Sequence, residues 1–309
     1  MNSCLIFAGN ANPELAGSIA KCLGKSLGTV NIFRFSDGEI CVKIDENVRG
    51  TDVFVIQPTC PPVNENLMEL LIMLDAFRRA SPRRLTAVVP YYGYARQDRK
   101  DQPRVPITAK LVANLLVSAG AGRILTMDLH APQVQGFFDI PVDHLFAAPV
   151  IVEYLRTQHL PDPVVVAPDV GGVKTARAFA KNLSASLAIV DKRRDAPDRV
   201  EMIHVIGEVA GKTAIIVDDL ISTGNTIAQA AHILMEKGAR EVYATCTHAL
   251  LCGDAVETLS QAGLRKLIIT DTIPQNTLPP FVTRLSVAPL LAEAIKRIHL
   301  ETSVSSLFI

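Results

Sequence analysis

Short β-branched runs alternate with amphipathic segments of helical period along most of this chain, and this alternation constrains its fold more than any other feature. Segments 64–79 and 226–237 each place leucine, isoleucine or alanine on one face, as core-facing helices do. Such alternation predicts an α/β protein whose mainly parallel sheets are flanked by helices. The predicted strands are Leu5–Ala8, Val53–Gln57, Leu85–Pro90, Arg123–Asp128, Pro163–Ala167, Ala214–Asp218, Glu241–Thr247 and Lys266–Thr270.

A pause in the alternation at residues 146–149 predicts a domain boundary. The chain has 309 residues, which is more than one hydrophobic core usually serves. The alternation resumes after the pause with the same design. We therefore expect two similar α/β domains, residues 1–146 and residues 147–309.

The composition excludes several classes of protein. Lys and Arg together number 31, as do Asp and Glu, so nothing indicates a surface for nucleic acid. The six cysteines show no Cys-x-x-Cys spacing, which favours reduced, buried thiols over zinc or disulfides. The N-terminus lacks a basic segment before an apolar one, and no apolar run reaches the roughly eighteen residues of a membrane span. We expect a cytoplasmic protein without membrane contact.

The most informative motif is segment 213–227, where an apolar strand runs into Asp218 and Asp219 and then into a small-residue turn that opens a helix. N–H groups at a helix N-terminus bind phosphate oxygens. Adjacent carboxylates accept hydrogen bonds from vicinal hydroxyls. The motif therefore predicts a sugar-phosphate site, although a buried strand ending in a capped helix explains the pattern alone equally well. The turn residues are Ser222, Thr223, Gly224, Asn225 and Thr226.

A rival motif, residues 207–213, looks like a nucleotide P-loop. Its spacing is one residue short, and a P-loop lysine must be followed by a helix that faces the phosphates. A β-branched run follows Lys212 instead. We therefore reject a P-loop kinase and expect a turn between two strands at Gly211 and Lys212.

Two exposed segments carry residue types suited to a nucleotide. Phe35 could stack on a base, while Asp37 and Glu39 could accept hydrogen bonds from an amine or ribose; alone, the segment reads as a hairpin turn. The long charged segment 90–104, which contains Arg96, leaves a buried strand. Its arginines suit a polyphosphate, because one guanidinium group can donate to two phosphate oxygens at once. Long loops inside a compact domain are also often functional.

Four further candidates lie at or near strand ends. His130 follows a strand, but a lone histidine is more often structural. Asp169 precedes a glycine pair and is placed like a magnesium or sugar ligand, with helix capping nearly as good an interpretation. Lys192 and Arg194 alternate within a basic run in what we expect to be a polar loop, and both could reach one phosphate group.

Taken together, these motifs resemble the ribose-phosphate diphosphokinase (phosphoribosyl diphosphate synthetase) family, in its bacterial and animal class. The resemblance spans essentially the whole chain. It implies two phosphoribosyltransferase-type domains and diphosphoryl transfer from ATP to C1 of ribose 5-phosphate, with Mg²⁺ as cofactor. The motifs that carry it are segments 35–39, 94–100, 128–131, 135–143, 168–172 and 213–227.

The resemblance also implies a role for each candidate residue. Lys192 and Arg194 would be catalytic, His130 and Asp169 would hold the metal, and Asp218 and Asp219 would bind the ribose hydroxyls. Residues 222–226 would bind the 5-phosphate. The ATP-binding set would be Phe35, Asp37, Glu39, Arg96, Gln97 and Asp101.

Assembly and regulation also follow from the resemblance. In the family, the first three ATP-binding residues come from a neighbouring subunit, which implies an oligomer built of dimers, typically a hexamer. Arg49 and the tail residues Ser303 and Ser305 resemble a site for activating phosphate and inhibitory ADP.

The phosphate turn departs from the family pattern, which has an acid in place of Ser222 and glycine in place of Asn225. Asparagine tolerates left-handed backbone better than most residues do, so we expect catalysis to survive, with an altered affinity for ribose 5-phosphate. Two alternatives stay open: a non-catalytic regulatory relative, or a phosphoribosyltransferase, which shares Asp218 and Asp219 but has no use for the Phe35 and Arg96 segments.

Overall fold

The structure is a computed structural model that describes residues 4–193 and 202–307. Arg194 lies outside the described residues, and Lys192 is described in its backbone only. The chain divides into two compact units. The first unit contains the residues up to Phe146 together with Thr272–Pro274 and the C-terminal segment from Ser286. The second contains Ala147–Asp271 and Gln275–Leu285.

The first unit is built on a five-stranded parallel sheet in the order β1-β4-β5-β6-β7. A separate antiparallel hairpin is formed by β2 and β3. In chain order the elements are β1 (Cys4–Ala8), α1 (Pro13–Cys22), β2 (Val30–Arg34), β3 (Ile40–Ile44), β4 (Asp52–Ile56), α2 (Val63–Arg79), β5 (Arg84–Val89), α3 (Thr108–Ala119), β6 (Arg123–Met127), a 3-10 helix (Pro132–Phe137) and β7 (Val142–Leu145).

The second unit contains a larger sheet of seven strands. These elements are α4 (Ala148–Thr157), β8 (Pro163–Ala167), α5 (Val173–Leu183), β9 (Ser186–Arg193), β10 (Met202–Ile206), β11 (Thr213–Ile221), α6 (Asn225–Glu236), β12 (Glu241–Ala249), α7 (Ala255–Gln261), β13 (Lys266–Thr270) and β14 (Val282–Leu285). The last helix, α8 (Ala288–His299), and a 3-10 turn (Ser305–Leu307) belong to the first unit.

Strand order differs between the two sheets in a way that bears on ligand binding. The second sheet runs β10-β9-β8-β11-β12-β13-β14, and all its neighbours are parallel except β10 with β9. From β8 the chain adds strands first on one side and then, from β11 onward, on the other. Open parallel sheets bind ligands at the carboxyl ends of strands where the order reverses. In the second unit that point lies between β8 and β11.

The predicted α/β fold is confirmed, because each predicted strand corresponds to one in the structure. Helix α6 buries Ile227, Ala230, Ala231 and Leu234, the face that its period indicated. Helix α2 likewise buries Leu70 and Leu74. Packing of these apolar faces onto the sheets gives each unit its own core.

The rejection of a P-loop is also confirmed. Residues 207–212 join β10 to β11 with no helix between them. Gly207 and Gly211 both have positive φ, at 112° and 73°, a conformation that glycine adopts without steric cost. The sequence Gly211-Lys212 therefore serves a turn between strands.

Two predictions need correction or restriction. All six cysteines are free, but Cys22 and Cys252 are exposed rather than buried. The domain ranges 1–146 and 147–309 remain a prediction; the compact units differ from them in that α8 packs with the first unit. In the described part of the chain, no helix combines the length and apolar character that a membrane crossing requires.

Candidate functional site

The reversal point of the second sheet brings three predicted site carboxylates into one electrostatic neighbourhood. Val166 of β8 pairs with Ile216 of β11, so two residues further along β11 Asp218 lies level with Pro168, one residue before Asp169. Asp219 follows directly on the same strand. Residues predicted to bind ribose hydroxyls thus lie at the same strand ends as a predicted metal ligand.

The pKa of Asp218 shows how strongly these carboxylates interact. Burial raises the pKa of Asp218 to about 8, with further contributions from the negative charges of Asp219 and Asp169. The backbone N–H of Asp219 donates to Asp218 Oδ1 at 2.9 Å, which acts in the opposite direction. A cation or a set of hydroxyl donors would relieve this repulsion, so the site is suited to a metal or a sugar.

The phosphate turn follows the carboxylates and opens α6. Gly224 has φ of 79°, and a Cβ there would lie 3.0 Å from Leu259 Cγ and 3.2 Å from the carbonyl oxygen of Ala255. Glycine therefore satisfies both the left-handed backbone and the close packing against α7. The N-cap residue of α6 is Gly224, which has no side chain to cap the first turn, and the backbone N–H groups of such a turn suit a phosphate.

Asn225 does not make the left-handed turn that its tolerance of such backbone suggested. The left-handed residue is Gly224, whereas Asn225 is the first residue of α6 and does not have positive φ. Asn225 is exposed, as is Thr223, while Ser222 and Thr226 are half-buried. The departure from the family pattern thus changes side chains at the helix start without changing which residue makes the turn.

The side chain of Asp169 accepts a backbone hydrogen bond just before α5, as the helix-capping interpretation expected. Its Oδ1 accepts a hydrogen bond at 3.0 Å from the N–H of Gly172, immediately before α5. A Cβ on Gly171 would lie 3.1 Å from the same oxygen. The carboxylate is exposed and also acts on Asp218, so this helix-associated bond and a ligand role are compatible.

Lys192 lies in a strand and not in the predicted polar loop. Strand β9 extends to Arg193, and Lys192 pairs with Ile203 of β10. The prediction failed because pairing with β10 extends β9 beyond the apolar run that the sequence shows. Ile189 pairs with Ala167 at the end of β8, so the backbone of Lys192 continues past the carboxyl end of β8, on the side where Asp169 follows.

In the first unit, the predicted nucleotide loop leaves the carboxyl end of β5. Arg96, Gln97 and Asp101 are exposed. The carbonyl oxygen of Gln97 accepts from the N–H of Ala109 at 3.1 Å. Its Oε1 accepts from Thr108 Oγ1 at 2.5 Å. Gln97 is therefore fixed against the first turn of α3, and its neighbour Arg96 extends from an anchored segment.

The segment that contains His130 lies beside this loop. Gln133 Nε2 donates to Asp98 Oδ2 at 2.5 Å, which joins the loop after β6 to the loop after β5. The N–H of Leu129 donates to buried His144 Nε2 at 2.8 Å. His130 itself is exposed. The structure thus brings the His130 and Arg96 segments together at one edge of the first sheet.

The turn of the β2–β3 hairpin presents Phe35, Asp37 and Glu39, all exposed. Phe35 is 51% exposed, and its ring packs in a T-shaped arrangement with that of Phe33, with centroids 5.4 Å apart. The N–H of Glu39 donates to Asp37 Oδ1 at 3.1 Å. An exposed aromatic ring held on a hairpin turn is available to a ligand or to another chain.

Three residues that support the nucleotide loop were not predicted from the sequence. Asp98 lies inside the motif at 94–100 but was given no role, although it bonds to Gln133. Thr108, which fixes Gln97, is the first residue of α3 and lies two residues after Pro106. A buried threonine at position 59 also contacts the loop. The length of the loop was the one signal for them in the sequence, because a long ordered loop needs hydrogen bonds to neighbouring segments to hold it in place.

Comparisons with known proteins agree on one family. A model described as the N-terminal domain of ribose phosphate pyrophosphokinase matches residues 4–120, and one described as a phosphoribosyl synthetase-associated domain matches residues 194–309. Ribose-phosphate pyrophosphokinase from Bacillus caldolyticus is 54% identical over 98% of this chain and 97% of its own. The chloroplastic ribose-phosphate pyrophosphokinase 1 of Arabidopsis thaliana is 57% identical over 98% of this chain and 77% of its own.

A solved structure agrees with these relatives. The phosphoribosylpyrophosphate synthetase from Mycobacterium smegmatis superposes with a TM-score of 0.92 and 44% identity, over 97% of this chain and 99% of that one. The fold and the carboxylate and phosphate-turn site define an α/β enzyme that acts on phosphorylated substrates. The chain belongs to the ribose-phosphate pyrophosphokinase family.

Proposed function

We propose that this chain forms 5-phosphoribosyl 1-diphosphate and AMP from ribose 5-phosphate and ATP, the reaction of its family, with the residues assigned below. The observation that carries the assignment is the reversal point of the second sheet. There, Asp218, Asp219 and Asp169 interact beside the start of α6, whose N-cap residue is a glycine with no capping side chain. A sugar phosphate needs both features, because its hydroxyls donate and its phosphate accepts.

Ribose 5-phosphate binds along the path from β11 into α6. Asp218 and Asp219 accept hydrogen bonds from the ribose hydroxyls. The 5-phosphate lies over the turn, where the backbone N–H groups of 222–226 and the positive end of the helix dipole favour a dianion. Hydroxyl groups of Ser222, Thr223 and Thr226 add donors.

ATP binds through the first unit's loops. Arg96 contacts phosphate oxygens, and Gln97 and Asp101 complete that side of the nucleotide. Phe35 stacks on the base while Asp37 and Glu39 accept from its amine or from the ribose. The exposure of the hairpin supports a contribution of Phe35 from a neighbouring subunit, in an oligomer built of dimers, with the hexamer as the expected form.

Mg²⁺ fits the oxygen-rich reversal point of the second sheet. This ion prefers carboxylate oxygens and keeps several positions for water and substrate phosphates. Within residues 4–193 and 202–307, no group of three or more His, Cys, Asp or Glu side chains is arranged to hold a metal by itself, so water and substrate phosphates would have to supply most of the coordination. Asp169 would hold the ion, His130 is the second candidate, and the bound ion would neutralise phosphate charge.

The chain's own cations stabilise the transferring group. The anomeric hydroxyl oxygen of ribose 5-phosphate forms a bond to the β-phosphorus of ATP, the bond from that phosphorus to the α,β-bridging oxygen breaks, and the hydroxyl proton is released. Charge accumulates on the phosphoryl oxygens, so Lys192, Arg194 and Arg96 stabilise the transition state. Each contributes about 2–4 kcal/mol if it resembles one preorganised oxyanion donor. The reaction needs no covalent enzyme intermediate.

The test is a coupled assay of AMP release that requires both ribose 5-phosphate and Mg²⁺. We expect Lys192→Ala to lower kcat about 10²–10³-fold, with much smaller changes in KM for either substrate. Equal kcat in variant and wild type would remove Lys192 from the chemistry. AMP release that ignores ribose 5-phosphate would contradict the proposed function as a whole.

Regulation is a separate part of the proposal. Arg49 is exposed, and Ser303 Oγ donates to Ser305 Oγ at 3.1 Å in the tail. We assign these residues to a site for activating phosphate and inhibitory ADP. The assay is the rate across a phosphate titration, with and without ADP, in wild type and in Arg49→Ala. A flat response in wild type would discard the regulatory site and leave catalysis intact.

A further inference from the structure

Thr59 lies beneath the nucleotide loop and bonds to it through both its backbone and its side chain. It follows β4 by three residues and is 1% exposed. Its N–H donates to the carbonyl oxygen of Tyr91 at 2.9 Å, and its Oγ1 donates to the same oxygen at 3.2 Å. The same Oγ1 accepts from the N–H of Gly93 at 2.7 Å. One hydroxyl therefore satisfies the backbone at two points of the loop's first turn.

Gly93 allows this close approach. A Cβ at this position would lie 2.5 Å from the carbonyl oxygen of Thr59, a distance that forces a shift of the backbone. Gly93 is itself buried, so water does not readily replace a lost hydrogen bond to its N–H. The loop therefore crosses the end of β4 at a fixed separation that depends on a glycine on one side and a hydroxyl on the other.

The path from this crossing to the candidate nucleotide residues is short and hydrogen-bonded. Tyr94 follows with φ of 66°, a left-handed conformation that is costly for a tyrosine. Its hydroxyl bonds to Asn64 at the start of α2. Its carbonyl oxygen accepts from the N–H of Gln97 at 2.9 Å. The position of Arg96, between Tyr94 and Gln97, is thus set by the crossing at Gly93 on one side and by α3 on the other.

We infer that Thr59 is a positioning residue for nucleotide binding, acting through Gly93 on the turn that carries Arg96 and Gln97. This inference rests on the proposed function, because it takes the Arg96 loop as the ATP site. Thr59 does not contact the substrate in this role. It fixes the distance between the loop and the sheet, so that the guanidinium group of Arg96 is already placed to bind the ATP phosphates and the loop need not rearrange first.

The experiment compares Thr59→Val, Thr59→Ser and a matched control. Valine places a methyl group where the hydroxyl accepts from Gly93, and a carbon needs about 3.5 Å from that nitrogen, so the loop must move outward. We expect KM for ATP to rise about tenfold in Thr59→Val, with KM for ribose 5-phosphate changed less than about twofold. Thr59→Ser keeps the hydroxyl and should restore KM for ATP.

Thr126 supplies the control. It is a buried threonine of the same sheet, and within the residues that the structure describes its hydroxyl has no hydrogen-bond partner. Thr126→Val therefore makes the same chemical change without removing a loop anchor, and both KM values should stay at the wild-type level. Calorimetric titration with α,β-methylene-ATP, which cannot be cleaved at the reacting bond, reports nucleotide affinity apart from catalysis.

The possible results distinguish failure of the positioning role of Thr59 from failure of the proposed function. If Thr59→Val only lowers the melting temperature and leaves both KM for ATP and analogue binding unchanged, Thr59 is structural and the inference is overturned. A matching rise in both KM values would likewise indicate general damage and not positioning. If the wild type releases no AMP in the presence of both substrates, the proposed function has failed, whatever Thr59 does to analogue binding.

Discussion

Asp52 in the first unit and Asp218 in the second are both strand aspartates, one buried and one half-buried, and their surroundings have opposite charge. Asp52 begins β4 and accepts hydrogen bonds from Arg83, Arg84 and His299. Asp218 lies near the end of β11, and Asp219 and Asp169 add negative charge to its surroundings. The two carboxylates therefore differ in what their ionisation does to the fold.

Their pKa values differ in direction for identifiable reasons. Burial raises the pKa of Asp52, but the hydrogen bonds from Arg84, Arg83 and His299 outweigh it and hold that pKa well below its usual range. Burial also raises the pKa of Asp218, and the neighbouring carboxylates raise it further. The first arrangement stabilises the folded chain by itself. The second would be relieved by a cation or by hydroxyl donors, which is the behaviour expected of a binding site.

The largest effect should come from removing the charge of Asp52. Asp52→Asn leaves two guanidinium groups and His299 without their shared carboxylate. We expect a loss of about 3 kcal/mol in the free energy of unfolding, at the low end for breaking a buried ion pair because both arginines also reach water. Urea denaturation of the variant measures it. Activity per folded molecule should be unchanged, since the side-chain partners of Asp52 are Arg83, Arg84 and His299, none of which is assigned to a substrate.

An Asp52→Asn variant as stable as the wild type would show that Asp52 and its partners do not stabilise the folded chain. In that case the free-energy cost of burying the carboxylate would equal the stabilisation from its hydrogen bonds to Arg83, Arg84 and His299. A variant of normal stability with lost activity would instead place Asp52 in the reaction, which its position at the amino end of β4 argues against.

Asp218→Asn should act in the opposite direction on stability. The amide keeps the acceptor for the N–H of Asp219 and removes a charge that the folded site disfavours. We expect a gain of at least about 1 kcal/mol at pH 8, the worth of one pKa unit, together with loss of ribose 5-phosphate binding. Thermal unfolding and the AMP assay on one preparation test both. Loss of activity with loss of stability would contradict the proposed ligand-relieved site.

The two carboxylates should also differ in pH dependence, because each changes the free energy of unfolding over a different pH range. The folded pKa of Asp52 is lowered, so its contribution is complete above about pH 4 and is lost as pH falls further. The folded pKa of Asp218 is raised, so its destabilising ionisation builds between about pH 4 and pH 8. The stability advantage of Asp218→Asn over wild type should grow across that second window and then level. A constant difference from pH 4 to pH 8 would show that the pKa of Asp218 is not raised.

The site at β11 was predictable because its determinants are local. Asp218, Asp219 and the turn through Gly224 lie within nine residues of one another in sequence, and an apolar run followed by small residues marks both the strand and the helix start. The residue that makes the left-handed turn was misassigned, since Gly224 and Asn225 both tolerate that conformation and only packing against Leu259 distinguishes them.

The surroundings of Asp52 could not be predicted in the same way. Its partners are 31, 32 and 247 residues away in sequence, and a single sequence carries no signal that pairs them. The same limit applies to β9 and β10, whose pairing extends β9 through Lys192. Local patterns thus identified strands and motifs, whereas contacts between distant residues set stability and the exact ends of elements.

The smallest effect, and the control for the first, concerns an exposed aspartate paired with arginine. Asp75 of α2 accepts from Arg79 Nε at 2.7 Å, four residues along the helix. The hydrogen bond lowers the pKa of Asp75, as those to Asp52 do, but both side chains are open to water. Asp75→Ala should therefore shift the melting temperature by less than about 2 °C, because solvent screens exposed ion pairs. A shift as large as that of Asp52→Asn would show that the number of arginine contacts, and not burial of the carboxylate, decides what an aspartate contributes to this fold.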